Sequence, residues 1–223
     1  MKTKITILGS GSAYGAPMVF NNWGAIKDKS NPKNRRTRAS ILLETESKTF
    51  LFDMGPDFRA QMNVNNITNL DAVFITHGHY DHIAGSGELW RAAALLEKQL
   101  HDFCSESTFD IIQDNFGYMF AETKEAGSEA VVWDVIYPYE EFSFERISFM
   151  PFDAPHKDMR STGFRYKNFA YLTDWESLDE KAINVLQGLD LLILECNNGV
   201  NVLKNGHSDY YNCLKYIELI KPK

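Results

Sequence analysis

Apolar residues recur along the chain in short runs, each closed by a polar residue, a glycine or a turn. Ile5-Thr6-Ile7-Leu8, Ile41-Leu42-Leu43, Phe50-Leu51-Phe52, Ala72-Val73-Phe74-Ile75, Ile147-Ser148-Phe149-Met150, Phe169-Ala170-Tyr171-Leu172 and Leu191-Leu192-Ile193-Leu194 have the length and the β-branched or aromatic content of buried strands. They predict strands over 4–8, 40–45, 49–53, 71–76, 146–150, 169–173 and 191–195. Longer segments predict helices over 57–63, 86–100, 109–120, 177–187 and 208–220. Ser177-Leu178-Asp179-Glu180 reads as a capping box, with the serine starting its helix, and Gly188 suits the left-handed residue just past the helix end. Ser208 is expected to cap the last helix. Strands mixed with helices make this an α/β chain, and no shift in composition marks a domain boundary, so 1–223 is expected to be one domain.

Directly after the run 70–76 stands His77-Gly78-His79-Tyr80-Asp81-His82, four metal-ligand side chains in six residues and three of the six histidines of the chain. A helix would set positions 77 and 79 about 200° apart, so helical i, i+4 metal binding is excluded and the donors belong on a loop. With the first part extended, His77 and His79 point the same way and can share an ion. Gly78 lets the backbone curve, and Asp81 and His82, past the bend, serve a second one.

Two ions need more donors than one loop offers. His156 follows the apolar run at 146–150, Asp174 closes the run at 169–173, and His207 follows Gly206. Asp53, at the end of Thr49-Phe50-Leu51-Phe52, suits a carboxylate that orients a ligating imidazole through its other N–H. Each is a His or Asp placed shortly after an apolar strand, the way a sheet delivers ligands from the carboxyl ends of its strands.

The loop Thr76–His82, with His156 and Asp174, resembles the metallo-β-lactamase-fold hydrolases. The segments Ile7-Leu8-Gly9-Ser10-Gly11-Ser12 and Asn31–Arg38 are similar to the branch that contains phosphoribosyl 1,2-cyclic phosphate phosphodiesterase. The resemblance implies a four-layer αββα sandwich. It implies one ion held by His77, His79, His156 and Asp174, and a second by Asp81, His82 and Asp174 plus one further histidine. Asp174 would bridge, Asp81 would orient the attacking water, and His207 would act at the scissile phosphate or its leaving oxygen. The implied activity is hydrolysis of a small, in some relatives cyclic, phosphodiester, with a tRNA 3′-processing endonuclease, a thioester hydrolase or a non-catalytic metal-binding remnant as alternatives. Zinc and manganese suit the His/Asp donors equally. Phe20–Ile26, where the branch carries a cysteine-rich zinc knuckle, has no thiol, so that accessory zinc is not expected. The chain stops at Lys221-Pro222-Lys223, where relatives add a strand with a histidine, so the expectation is either a shortened sequence or an incomplete site for the second ion.

Charge adds one candidate. Residues 27–38 hold six Lys or Arg and one Asp, a local +5 in a chain of net −7, which leaves −12 for the rest. Arg35, Arg36 or Arg38 suits a phosphate, and a solvated basic loop is the equal alternative. So acidic a chain lacks the footprint of a general nucleic-acid binder. The resemblance implies a small phosphodiester as the partner, and a homodimer is the candidate assembly. Three scattered cysteines without a CxxC pair argue for free thiols in a reducing, cytoplasmic setting. The start reads as a strand and not a signal peptide, and no apolar run could cross a membrane. His101 is expected at a helix end and not as a ligand. Phe109, Phe116, Tyr118, Phe120 and Trp133 are expected in the core or a site wall, and Trp23 either covers the metal cleft or anchors its loop.

Overall fold

The computed structural model describes residues 3–125, 130–201 and 205–223. Backbone contacts divide the chain into two compact units, Met1–Val135 and Ile136–Lys223.

The first unit is a six-stranded sheet in sequence order: β1 (Lys4–Gly9), β2 (Ser40–Glu44), β3 (Thr49–Phe52), β4 (Ala72–Phe74), β5 (Leu100–Cys104) and β6 (Val131–Val135). β1, β2 and β3 pair antiparallel, and β3 to β6 pair parallel. β1, β3, β4, β5 and β6 therefore run one way and end on one edge. Helices α1 (Phe58–Val64), α2 (Tyr80–Ile83), α3 (Leu89–Leu96) and α4 (Glu106–Glu125) complete the unit. Leu42, Leu51, Val73, Ile75, Leu100 and Cys104 meet Phe58, Leu89, Ala93 and Ile112 in one apolar cluster. The strands are near-continuous apolar runs because a sheet covered on a face by helices gives water little of itself.

The second unit is a five-stranded mixed sheet of order β11-β10-β9-β8-β7, from β7 (Phe142–Phe144), β8 (Ile147–His156), β9 (Met159–Tyr166), β10 (Phe169–Leu172) and β11 (Leu191–Leu194). Antiparallel pairing from β7 to β10 and a parallel β10–β11 pair align β8, β10 and β11. Helices α5 (Glu180–Val185) and α6 (Tyr210–Ile220) pack Ala182, Cys213, Tyr216 and Ile220 into a cluster with Phe152, Leu172 and Trp175.

Several boundaries differ from the sequence reading. The helix expected over 86–100 is a short 3-10 turn at Ala84–Glu88 followed by α3, and Leu100–Cys104 is a strand. His101 is thus a strand residue, its Nδ1 2.7 Å from Asp134 Oδ2 on β6, and not a helix-end histidine. α5 is capped by Asp179, which accepts from the Ala182 N–H, and not by Ser177. Gly188 has the expected left-handed backbone, φ +73°. α6 is capped by Asp209, which accepts from the Asn212 N–H, and not by Ser208, whose Oγ instead accepts from the Asn212 amide. Phe109, Phe116, Phe120 and Trp133 pack on the first core cluster as expected, whereas Tyr118 is exposed. All three cysteines are free thiols. No helix among the described residues is long and apolar enough to cross a membrane.

One core residue carries a pH effect. Asp102 on β5 is fully buried, and neither carboxyl oxygen has a hydrogen-bond partner among the described residues. Burial, reinforced by Asp134 and Asp53, holds its pKa well above the usual carboxylate range. The native state therefore binds this proton more tightly than the unfolded chain does. Its contribution to stability is complete below the unfolded carboxyl range and is lost as pH rises toward the raised folded value. Asp102→Leu should accordingly stabilise the protein more at pH 8 than at pH 5, by up to about 1.4 kcal/mol per pH unit inside that window. Urea unfolding of both proteins at the two pH values measures it, and an equal difference at both would show that Asp102 does not titrate on unfolding.

Candidate metal centre

In the first unit the donors sit at the carboxyl ends of β3 and β4. Ile75 still hydrogen-bonds to β5, its N–H to the Phe103 carbonyl at 2.9 Å, and then the chain leaves the sheet. His79 is extended (φ −70°, ψ 149°) and begins α2, so Asp81 and His82 lie on one helical turn and not on irregular backbone. His77, His82 and Asp53 are buried and His79 is half-buried. His77 Nε2 lies 3.0 Å from His79 Nδ1, and His82 Nε2 lies 3.2 Å from Asp81 Oδ2.

Asp53 is the hub of this half. Its carboxylate accepts the Thr76 N–H at 2.8 Å and the Thr76 hydroxyl at 2.9 Å, and its other oxygen lies 2.8 Å from His82 Nδ1. With the Thr76 hydroxyl hydrogen committed to Asp53, its lone pair is left to accept from His77 Nδ1 at 3.0 Å. Both imidazoles therefore carry their proton on Nδ1 and turn Nε2 to the remaining donors, the tautomer that a metal ligand requires. Asp53 thus bonds one imidazole directly and reaches the other through Thr76.

The backbone clamps the loop to the turn after β3. The Met54 N–H donates to the His82 carbonyl at 2.8 Å, and the Gly85 N–H to the Met54 carbonyl at 2.7 Å. A Cβ on Gly55 would stand 2.0 Å from the Asp81 carbonyl oxygen, so no larger residue fits beneath the loop.

In the second unit β8 delivers His156, β10 delivers Asp174 and β11 delivers Glu195, all from aligned strand ends. His156 is buried, and its Nδ1 donates to the Gly206 carbonyl, leaving Nε2 3.6 Å from Asp174 Oδ2. Burial lowers the His156 pKa, against the pull of Asp174, a shift toward the neutral form that a ligand needs. His207 Nδ1 lies 3.6 Å from Glu195 Oε1 and 3.9 Å from Asp174 Oδ1. The Glu195 carboxylate raises the His207 pKa, the opposite direction to the shift at His156. Gly206, at φ +86°, sets its carbonyl onto His156 and passes straight on to His207.

Asp53 and Asp174 share one further property: both have left-handed backbones, φ 61° and 49°. Aspartate tolerates this conformation better than most residues, at a cost of about 1 kcal/mol. In each case it turns a carboxylate back across the strand end it follows.

Glu195 was not anticipated from the sequence. The signal was present, since it follows Leu191–Leu194 just as Asp53 follows β3. The arginines are tied up locally. Arg35 lies over the Trp23 ring at 4.9 Å, Arg36 bonds to the Lys33 carbonyl and Ser10, and Arg38 pairs with Asp57 at 3.0 Å. Trp23 is buried beneath Arg35 and anchors its loop.

Residues 48–223 match the model of the beta-lactamase superfamily domain. The chain belongs to the metallo-β-lactamase superfamily. Its two mixed sheets with flanking helices have the α/β composition of that metallohydrolase fold. A diphosphatase of the PhnP family is 27% identical, with a TM-score of 0.87 over 100% of this chain and 84% of that one. An octanoyltransferase of Porphyromonas gingivalis is 28% identical over 89% of this chain and 39% of its own length. The exodeoxyribonuclease WalJ of Streptococcus pneumoniae is 26% identical over 75% of this chain and 61% of its own. The chain thus spans less than two thirds of these curated relatives.

The donors present fit divalent cations. Three imidazoles have one nitrogen fixed by a protein oxygen and the other turned to carboxylate or imidazole donors, and among the described residues no thiol belongs to either set. Superfamily and donor chemistry agree on metal binding.

Proposed function

We propose that this protein is a phosphodiesterase, acting on a small phosphodiester through two divalent cations, zinc or manganese. His77, His79, His156 and Asp174 would hold one cation, and Asp81, His82 and Asp174 the other. When bound, such ions acidify coordinated water and neutralise charge on phosphoryl oxygens. Asp53 and Thr76 fix the tautomers of His77 and His82. Asp81 orients the attacking water. His207 keeps a proton at its ring because of Glu195 and gives it to the departing oxygen.

The observation that carries this reading is the split between two neighbouring imidazoles. His156 Nδ1 is fixed by the Gly206 carbonyl and its Nε2 lies 3.6 Å from Asp174, as suits a ligand, whereas His207 Nδ1 lies 3.6 Å from Glu195, whose carboxylate shifts its pKa upward, as suits an acid. An ester oxygen leaving phosphorus is a poor leaving group unless it is protonated, so an acid beside metal ligands suits this substrate. The diphosphatase and exodeoxyribonuclease among the relatives are named for cleavage at phosphorus. A ribonuclease Z of Methanocaldococcus jannaschii, 28% identical over 59% of this chain, supports RNA 3′-end cleavage as the second reading. Arg36, at the foot of the basic loop, is the residue proposed to meet a substrate phosphate.

His207→Ala tests the assignment. Turnover of an alkyl phosphodiester should fall about 10²- to 10⁴-fold. Bis(p-nitrophenyl) phosphate, whose leaving group needs no proton, should lose far less, and bound metal should stay near the wild-type level. Equal losses on both substrates, or loss of metal, would make His207 a ligand and remove the acid. A panel of a ribose cyclic phosphate, a linear diester, a precursor tRNA and a thioester separates the two readings from each other and from a thioesterase.

A further inference from the structure

A groove of about 300 Å³ opens between α1 and α3 in the first unit, separate from the metal-loop residues. Its floor is the edge of the apolar core: Phe58, Met62, Ile67, Leu70 and Leu96. Its rim carries two guanidinium groups, Arg59 from α1 and Arg91 from α3. Most arginines of this chain are engaged. Arg36, Arg38, Arg160 and Arg165 bond to oxygen acceptors and Arg35 lies over Trp23. Arg59 and Arg91 have no ion pair or hydrogen-bond acceptor for their side chains among the described residues, although Glu88 lines the same groove.

We propose that this groove binds a small amphipathic anion, a free monocarboxylate with an apolar tail. A ligand site is typically a concave apolar surface of at least about 300 Å³ with a few polar groups that fix orientation, and this groove meets both conditions. At the roughly 30 Å³ that one water occupies in the liquid, the volume holds about ten heavy atoms, the size of an octanoate or decanoate. The tail covers Phe58, Met62 and Leu70, and the carboxylate answers the two unmatched positive charges, for which a guanidinium fork is suited. On a chain of net charge −7, two arginines facing one apolar depression without a carboxylate partner select for a negative head. Leu95, exposed at the same rim, supplies further apolar surface for the tail.

Calorimetric titration of the purified full chain with octanoate and decanoate below their micelle concentrations tests this, with octylammonium and 1-octanol as head-group controls. The carboxylates should bind, decanoate more tightly, and octylammonium at least about tenfold more weakly, a difference of roughly 1.4 kcal/mol. Arg59→Gln with Arg91→Gln should weaken carboxylate binding about tenfold and leave octanol unchanged. Ala92→Trp, which fills the groove, should abolish all binding while the unfolding midpoint stays within a few degrees of wild type. No carboxylate binding by the wild-type chain would overturn the proposal. So would equal affinity for both head charges, which would mark a docking surface for apolar protein side chains instead, or undiminished binding by Ala92→Trp.

Discussion

Asp174→Ala is expected to lower phosphodiester turnover about 10³-fold and to strip most of the bound metal. In the structure this carboxylate approaches both His156 Nε2, at 3.6 Å, and His207 Nδ1, at 3.9 Å. Its removal takes this carboxylate from beside the buried His156 Nε2, and one of two nearby carboxylates from His207. Loss of a partner that merely orients a ligand costs roughly 10- to 100-fold in affinity or activity. Loss of a group that bridges two cations should cost more, and the damage to proton donation by His207 adds to it. Elemental analysis of the purified variant, together with single-turnover rates at saturating metal, measures both effects. Wild-type metal content with turnover inside tenfold would remove Asp174 from the centre.

The largest effect on stability is expected at the next residue. Trp175 is fully buried, its indole N–H donates to the Glu195 carbonyl at 3.0 Å, and its ring meets Tyr216 edge-on at 5.3 Å. Leu172, Leu178 and Leu186 belong to the same cluster. Trp175→Ala should cost about 3–5 kcal/mol through the cavity alone, a large share of the roughly 5–15 kcal/mol that holds a domain folded. Trp175→Phe keeps most of the ring and loses the hydrogen bond. The Cys213 thiol still reaches the same carbonyl at 3.4 Å, so about 1 kcal/mol should be lost. Urea midpoints give both values, and a cost below about 2 kcal/mol for the alanine variant would contradict the packing described. Because Trp175 fixes the Glu195 backbone, Trp175→Phe should also lower the His207-dependent rate on alkyl diesters more than the rate on p-nitrophenyl diesters.

The metal loop was legible from the sequence because its donors are contiguous and follow an apolar strand at once. Asp53, His156 and Asp174 were legible through the same pattern, a His or Asp placed shortly after an apolar run, and His207 through its place after Gly206 and before the last helix. The strands that escaped notice break that pattern. β5 reads Leu-His-Asp-Phe-Cys, and its buried Asp102 mimics the polar face of a helix, so the helical reading ran on to residue 100. β9 reads Met-Arg-Ser-Thr-Gly-Phe-Arg-Tyr, yet Ser161 and Thr162 are buried. There the Ser161 hydroxyl donates to the Thr173 carbonyl, a partner far away in sequence that no local window contains. The caps of α5 and α6 were misplaced by two residues and by one because Ser177 and Asp179, or Ser208 and Asp209, are both good caps, and only the tertiary path chooses between them.

The positive φ angles at Asp53 and Asp174 limit how this family can vary. A left-handed strand end admits glycine, asparagine or aspartate readily and a longer acid poorly. Exchange of either residue for glutamate therefore asks the main chain to relax out of its bend, which would swing the carboxyl group away even though its charge is retained. Charge alone is therefore not enough at these two positions, because the bend itself sets where the carboxyl group sits.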